Sequence, residues 1–183
     1  MERRYVCAYG ASSTLLDSAY YVQCERLGSL IAEHGYALCF GGGTLGVMGA
    51  LVRGTKGAGG HALGIAPRFF DTDGILHKDC DEFLFTETMG ERKALLTAKS
   101  HAFVVCPGGI GTLDEFFDIL TLKQLQVYSK PLVIFNLNGC YDLLISLLEG
   151  LVRDSFSGDD ILSLFKVAST AEEVISIIDS ELS

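Results

Sequence analysis

Residues 106–117 read Cys-Pro-Gly-Gly-Ile-Gly-Thr-Leu-Asp-Glu-Phe-Phe, and no other stretch constrains the fold as tightly. The apolar run before it, Ala102 to Cys106, is short and ends at a proline, the pattern of a buried strand. Three glycines within four positions follow (Gly108, Gly109, Gly111), and a helical pattern opens at Thr112, with Leu113, Phe116, Phe117 and Leu120 on its apolar positions. Strand, glycine turn and helix N-terminus together form the geometry that cradles a phosphate. Glycines let the backbone approach the anion, and the unpaired N–H groups of the first turn point at it. Glu115 sits one turn inside that helix, where a carboxylate beside a phosphate needs a reason. Two readings stand. Thr112-x-x-Glu115 fits a capping box, in which threonine and glutamate satisfy each other's backbone N–H groups. Alternatively, Glu115 faces the sugar of a bound nucleotide and helps to break a bond there.

The strand–turn–helix order recurs along the chain. Strands are expected at Tyr5–Tyr9, Tyr36–Phe40, His61–Ile65, Glu82–Phe85 (short, or an edge), Ala102–Cys106, Pro131–Phe135 and Phe165–Ala168. Helices are expected at 17–34, 46–54, 89–100, 112–128, 141–154 and from Thr170 to about Leu182, the last opened by a second capping-box match, Thr170-x-x-Glu173. Residues 66–80 form a polar, irregular connection. Such alternation predicts an α/β fold: one Rossmann-like domain over 1–183, a doubly wound parallel sheet with helices on both faces. Ligands bind such sheets beyond the carboxyl ends of the strands. Three glycine-bearing turns (10–14, 41–46, 108–112) follow strands, so all three are expected on that edge.

Composition narrows the function. The net charge of −9, from 14 basic and 23 acidic residues, argues against non-specific binding to nucleic acid or an anionic membrane. It also makes Arg92 and Lys93 prominent, because an anionic ligand needs local positive potential and a helix dipole adds only about 0.3–1 kcal/mol in exposed settings. The six cysteines form no C-x-x-C pair, and the opening Met-Glu-Arg-Arg-Tyr has no secretory pattern, so a cytoplasmic protein is expected. No segment reaches transmembrane length. Gly41-x-Gly43-x-x-Gly46 matches the dinucleotide fingerprint, but the next strand ends Gly64-Ile65-Ala66-Pro67 without the acidic residue that would hold a ribose, so NAD is disfavoured. The cluster at His77, Asp79, Cys80 and Asp81 fits no zinc spacing, and no metal or cofactor is expected.

Pro107-Gly108-Gly109-Ile110-Gly111-Thr112-Leu113-Asp114-Glu115 matches the PGGxGTxxE signature of the LOG ("Lonely Guy") family, the cytokinin riboside 5'-monophosphate phosphoribohydrolases, whose relatives often carry a lysine-decarboxylase label. Gly41–Ala50 resembles the family's GGGxxGLMG segment, and Met89-Gly90-Glu91-Arg92-Lys93 resembles its MxxRK segment. The resemblance spans roughly residues 4–180. It implies a hydrolase of nucleoside 5'-monophosphates with Arg92 and Glu115 catalytic. It places Gly108, Gly109, Gly111, Thr112, Lys93, Met89, Gly42, Gly43, Ser12 and Thr121 around the substrate, and it implies a homodimer. Phe69 and Phe70 are candidate walls for a base pocket, and Asp118 is a candidate to orient Glu115 or a water. Pyridoxal phosphate would need a Schiff-base lysine, and nothing marks Lys93, Lys99 or Lys123 for that role. The rival reading is a nucleotide or molybdenum-cofactor carrier of the same fold, which would have no chemical need for an Arg92 and Glu115 pair.

Overall fold

The computed structural model describes residues 3–72 and 74–183. Seven strands form one parallel sheet: β1 (Tyr5–Tyr9), β2 (Ala37–Phe40), β3 (Ala62–Pro67), β4 (Glu82–Thr86), β5 (Ala102–Val105), β6 (Leu132–Phe135) and β7 (Lys166–Ala168), in the order β4-β3-β2-β1-β5-β6-β7. Six α-helices connect or follow them: α1 (Ser18–Glu33), α2 (Gly46–Gly57), α3 (Met89–Lys99), α4 (Ile110–Gln124), α5 (Asp142–Arg153) and α6 (Ala171–Leu182). The strands are nearly continuous apolar runs because both faces of the sheet are covered. Val6, Ala8, Leu38 and Val104 face α1, α2 and α6, whereas Cys7, Tyr9, Phe103 and Val105 face α3, α4 and α5. No helix of the described residues is long and apolar enough to cross a membrane.

The chain runs outward from β1 to β4, then crosses back through α3 to lay β5 on the other side of β1. The carboxyl ends of β1 and β5 therefore flank the switch point, and the turns 10–14 and 106–112 meet there. They are joined directly, with the Ala11 N–H donating to the Pro107 carbonyl at 3.1 Å.

Most expected elements lie within a residue or two of their observed bounds. The instructive difference is α4, which starts at Ile110, two residues before the expected Thr112, with Gly109 as its N-cap. Thr112 is thus in the third helical position and cannot cap, so the 112–115 capping box does not form. The Thr170–Glu173 box does form, with both reciprocal bonds. The helix α4 also ends at Gln124 rather than Tyr128, and α2 continues past Gly54 to Gly57.

Candidate active site

The start of α4 has three N–H groups, on Ile110, Gly111 and Thr112, that meet no acceptor among the described residues. The first intrahelical bond is Leu113 N–H to the Gly109 carbonyl at 3.0 Å. They face a cavity of about 390 Å³ at the switch point, lined by Ser12, Ser13, Met89, Arg92, Gly109, Thr112 and Glu115, among others. A Cβ built on Gly109 or Gly111 would meet nothing within 4 Å, so the chain's own packing does not demand glycine at either position. Gly108 differs, since a Cβ there would lie 2.1 Å from the Thr112 hydroxyl, which packs across it.

The second glycine turn is built differently. The Ala11 carbonyl accepts the N–H groups of Val47 (2.8 Å) and Met48 (3.4 Å), so the first turn of α2 is already occupied by the chain. The segment 74–77 then folds over this turn. Thr44 donates to the Ile75 carbonyl, His77 donates to the Gly42 carbonyl, and Gly43 bridges Leu76. Gly42 has φ 81° and lies under the Phe83 ring, which makes it a turn residue rather than part of the cavity wall. Gly43 lines an adjoining apolar recess of about 340 Å³ with Leu45, Met48, Phe70, Ile75 and Leu76. Phe70 and Met48 wall both spaces, while Phe69 lines neither.

Arg92 comes from the second turn of α3 and is only 8% exposed, so it is not a solvated surface arginine. Its Nη1 donates to Glu115 Oε1 at 2.6 Å and its Nε to the Ile65 carbonyl at 3.2 Å. The far side of the guanidinium lies against Gly41, where a Cβ would be 2.2 Å from Nη2. Glu115 is 9% exposed. Burial pushes its pKa above the ordinary glutamate range, and the Arg92 charge only partly offsets this.

Lys93 does not line the cavity. Its Nζ sits 3.1 Å from Asp114 and 3.4 Å from Asp118, tying α3 to α4. Burial works against its charge, but the two carboxylates outweigh it and raise its pKa. Asp118 is therefore a partner of Lys93, not an orienting group for Glu115. Thr121 is exposed further along α4 and does not line the cavity. Met48 went unassigned in the sequence although it lies inside the Gly41–Ala50 segment. The cover from residues 74–77 had no sequence signal, since a polar connection does not say what it folds over. In the 77–81 cluster, Asp81 is engaged by Lys56 (2.7 Å) and by the Ala62 N–H (2.8 Å), and His77 accepts the Asp79 N–H.

A family model described as "Possible lysine decarboxylase" matches residues 48–178. A cytokinin riboside 5'-monophosphate phosphoribohydrolase of Mycobacterium tuberculosis is 34% identical over 176 residues, covering 96% of this chain and 86% of that one. The chain belongs to the LOG family. A probable cytokinin riboside 5'-monophosphate phosphoribohydrolase of rice, Oryza sativa subsp. japonica, is 32% identical over 172 residues (94% of this chain, 70% of that one). Among solved structures, the molybdenum cofactor carrier protein of Chlamydomonas reinhardtii superposes with a TM-score of 0.77 at 25% identity, covering 99% of both chains. The decarboxylase description of this LOG-family chain finds no footing at the site. None of the residues lining either space is a lysine, so no amine is placed to hold pyridoxal phosphate as a Schiff base.

Proposed function

We propose that the protein is a phosphoribohydrolase that cleaves the N-glycosidic bond of purine nucleoside 5'-monophosphates, giving the free base and ribose 5-phosphate. The observation that carries this reading is the buried Arg92–Glu115 pair at 2.6 Å, opening onto a cavity at a helix N-terminus whose first N–H groups meet no acceptor among the described residues. Removing two charges from water costs stability that their attraction rarely recovers in full. A chain that only bound a nucleotide would have no use for that cost. The phosphate takes the N–H groups of Ile110, Gly111 and Thr112, where it meets the positive end of the α4 dipole. As the bond from C1' to the base breaks, positive charge grows on the ribose and the base leaves with the electron pair. Glu115 suits the ribose end, stabilising that charge or taking a proton from the attacking water; the water oxygen ends on C1' and one of its protons on the base. Arg92, always charged, suits the developing negative charge of the leaving base.

The same reading takes the protein as cytoplasmic, without a nucleic-acid partner, and as a homodimer. Ile110 (82% exposed) at the cavity, Phe117 further along α4 and Leu125 just past its end are exposed apolar side chains that would supply a surface for a second copy. The second reading, a carrier, is favoured by the likeness to the molybdenum cofactor carrier protein. Chromatography of products from AMP and isopentenyladenosine monophosphate separates the two. Free base released from either, and lost by about 10²–10⁴-fold in Glu115→Gln assayed at a temperature where circular dichroism shows the variant folded, supports the hydrolase. Nucleotide that binds and is recovered intact supports the carrier.

A further inference from the structure

The turn between β6 and α5 is elaborate for its length. The Asn136 side chain accepts the Tyr141 N–H at 2.7 Å and donates to Asp142 at 2.7 Å. Asn138 and Gly139 both take left-handed conformations, at φ 54° and 71°. The result is that Tyr141, 4% exposed, is delivered beneath the carboxyl end of β5. There its phenol donates to the Cys106 carbonyl at 2.7 Å, and the phenol oxygen in turn faces the Gly108 N–H.

Cys106 is the residue from which the phosphate loop departs. Its own N–H is held by the Tyr9 carbonyl at 2.8 Å, but its carbonyl lies beyond the last β5–β6 register pair, Val105 with Ile134. No strand is available to receive it. The next carbonyl, that of Pro107, is held by the Ala11 N–H. Both carbonyls entering the loop are thus occupied by donors from other elements. A carbonyl oxygen turned into the cavity would oppose a phosphate, whereas amide N–H groups attract one. Burial pushes the Tyr141 phenol far above its ordinary pKa, so it remains a donor over the working pH range.

We propose that Tyr141 is a positioning residue for the phosphate end of the substrate: its contacts with the Cys106 carbonyl and the Gly108 N–H anchor the start of the loop, so that the N–H groups of Ile110, Gly111 and Thr112 face the cavity. The inference rests on the proposed function for the identity of the anion. Tyr141→Phe keeps the ring and removes only the hydroxyl. The expected result is a Kd for ribose 5-phosphate, by calorimetry, and a KM for AMP both raised about tenfold, with kcat within about threefold and adenine binding unchanged. The amides of 108–112 should also exchange faster with solvent. Tyr128→Phe is the control. That phenol also donates to a backbone carbonyl, Thr97, but stands away from the loop, so the variant should leave ribose 5-phosphate binding unaltered. Should Tyr141→Phe not fold, Asn136→Ala loosens the same turn and should weaken ribose 5-phosphate selectively. Unchanged ribose 5-phosphate affinity, or an equal loss for adenine, overturns the positioning role while leaving the proposed function standing. Wild-type protein that does not bind ribose 5-phosphate overturns both.

Discussion

Two turns of this protein share a pattern, glycines after a strand and before a helix, yet they have opposite fates. At 108–112 the helix N-terminus is left open and two of the glycines have empty space where a Cβ would be. At 41–46 the helix N-terminus is filled by the Ala11 carbonyl, and the glycines are demanded by the chain itself. Gly46, at φ 66°, leaves only 2.4 Å between a Cβ and that same carbonyl oxygen. Glycine spacing alone therefore does not make an anion site; what decides is whether the N–H groups already have partners. This also gives a structural reason, beyond the missing acidic residue, why the G-x-G-x-x-G match is not a dinucleotide fingerprint here. The second turn serves the site indirectly, as the seat against which Arg92 lies.

The largest effect expected from either glycine turn tests that indirect role. Gly41→Ala places a methyl in the guanidinium's space, and displacement of Arg92 should lower kcat about 100-fold in steady-state kinetics, since shifts near 1 Å at a reacting centre cost this much. A Gly41→Ala enzyme with full activity would break the link between the turns. The pH profile comes next. Because burial raises the Glu115 pKa, its ionised form is lost as pH falls through a value above the ordinary glutamate range of about 4.3. The acid limb of kcat should lie there and fall about tenfold per pH unit below it. Arg92→Ala, which removes the charge that lowers this pKa, should move the limb of its residual activity to higher pH.

The third test sets the two turns against each other. Gly111→Ala should raise KM about tenfold by crowding the phosphate, while leaving the melting temperature equal or higher, because alanine is the better helix residue by about 1 kcal/mol. Gly46→Ala should do the reverse and destabilise by about 2 kcal/mol or more in denaturant titration. Matching signs at the two positions would remove the distinction. The smallest effect is Thr170→Ala, which should cost about 1 kcal/mol through loss of the cap, with no change in turnover.

Strand positions and helix order were legible because fully buried parallel strands are apolar runs, and because proline and glycine punctuate them. The edge on which the glycine turns gather followed from parallelism. Thr112 and Glu115 were harder. Their spacing is identical to that of Thr170 and Glu173, but a capping box exists only if the helix starts at the threonine, and Gly109 had already started it. The burial of Arg92 was not readable from composition, since arginine is ordinarily a surface residue. It depends on Gly41 and Ile65, which are distant in sequence. Lys93, next in the chain, points along the helix pair instead, a difference of one residue that no local pattern encodes.

The crossover through α3 has a consequence for how the molecule is made. Two of the groups against which Arg92 is held, Gly41 and the Ile65 carbonyl, lie in the part of the chain synthesised first, whereas its counter-charge Glu115 lies beyond β5. A nascent chain that has completed β1–β4 and α3 carries a cation with a pocket but no anion, and burying it alone is strongly unfavourable. The first half cannot close tightly until the second arrives, so the pair that serves chemistry also joins the two halves into one cooperative folding unit.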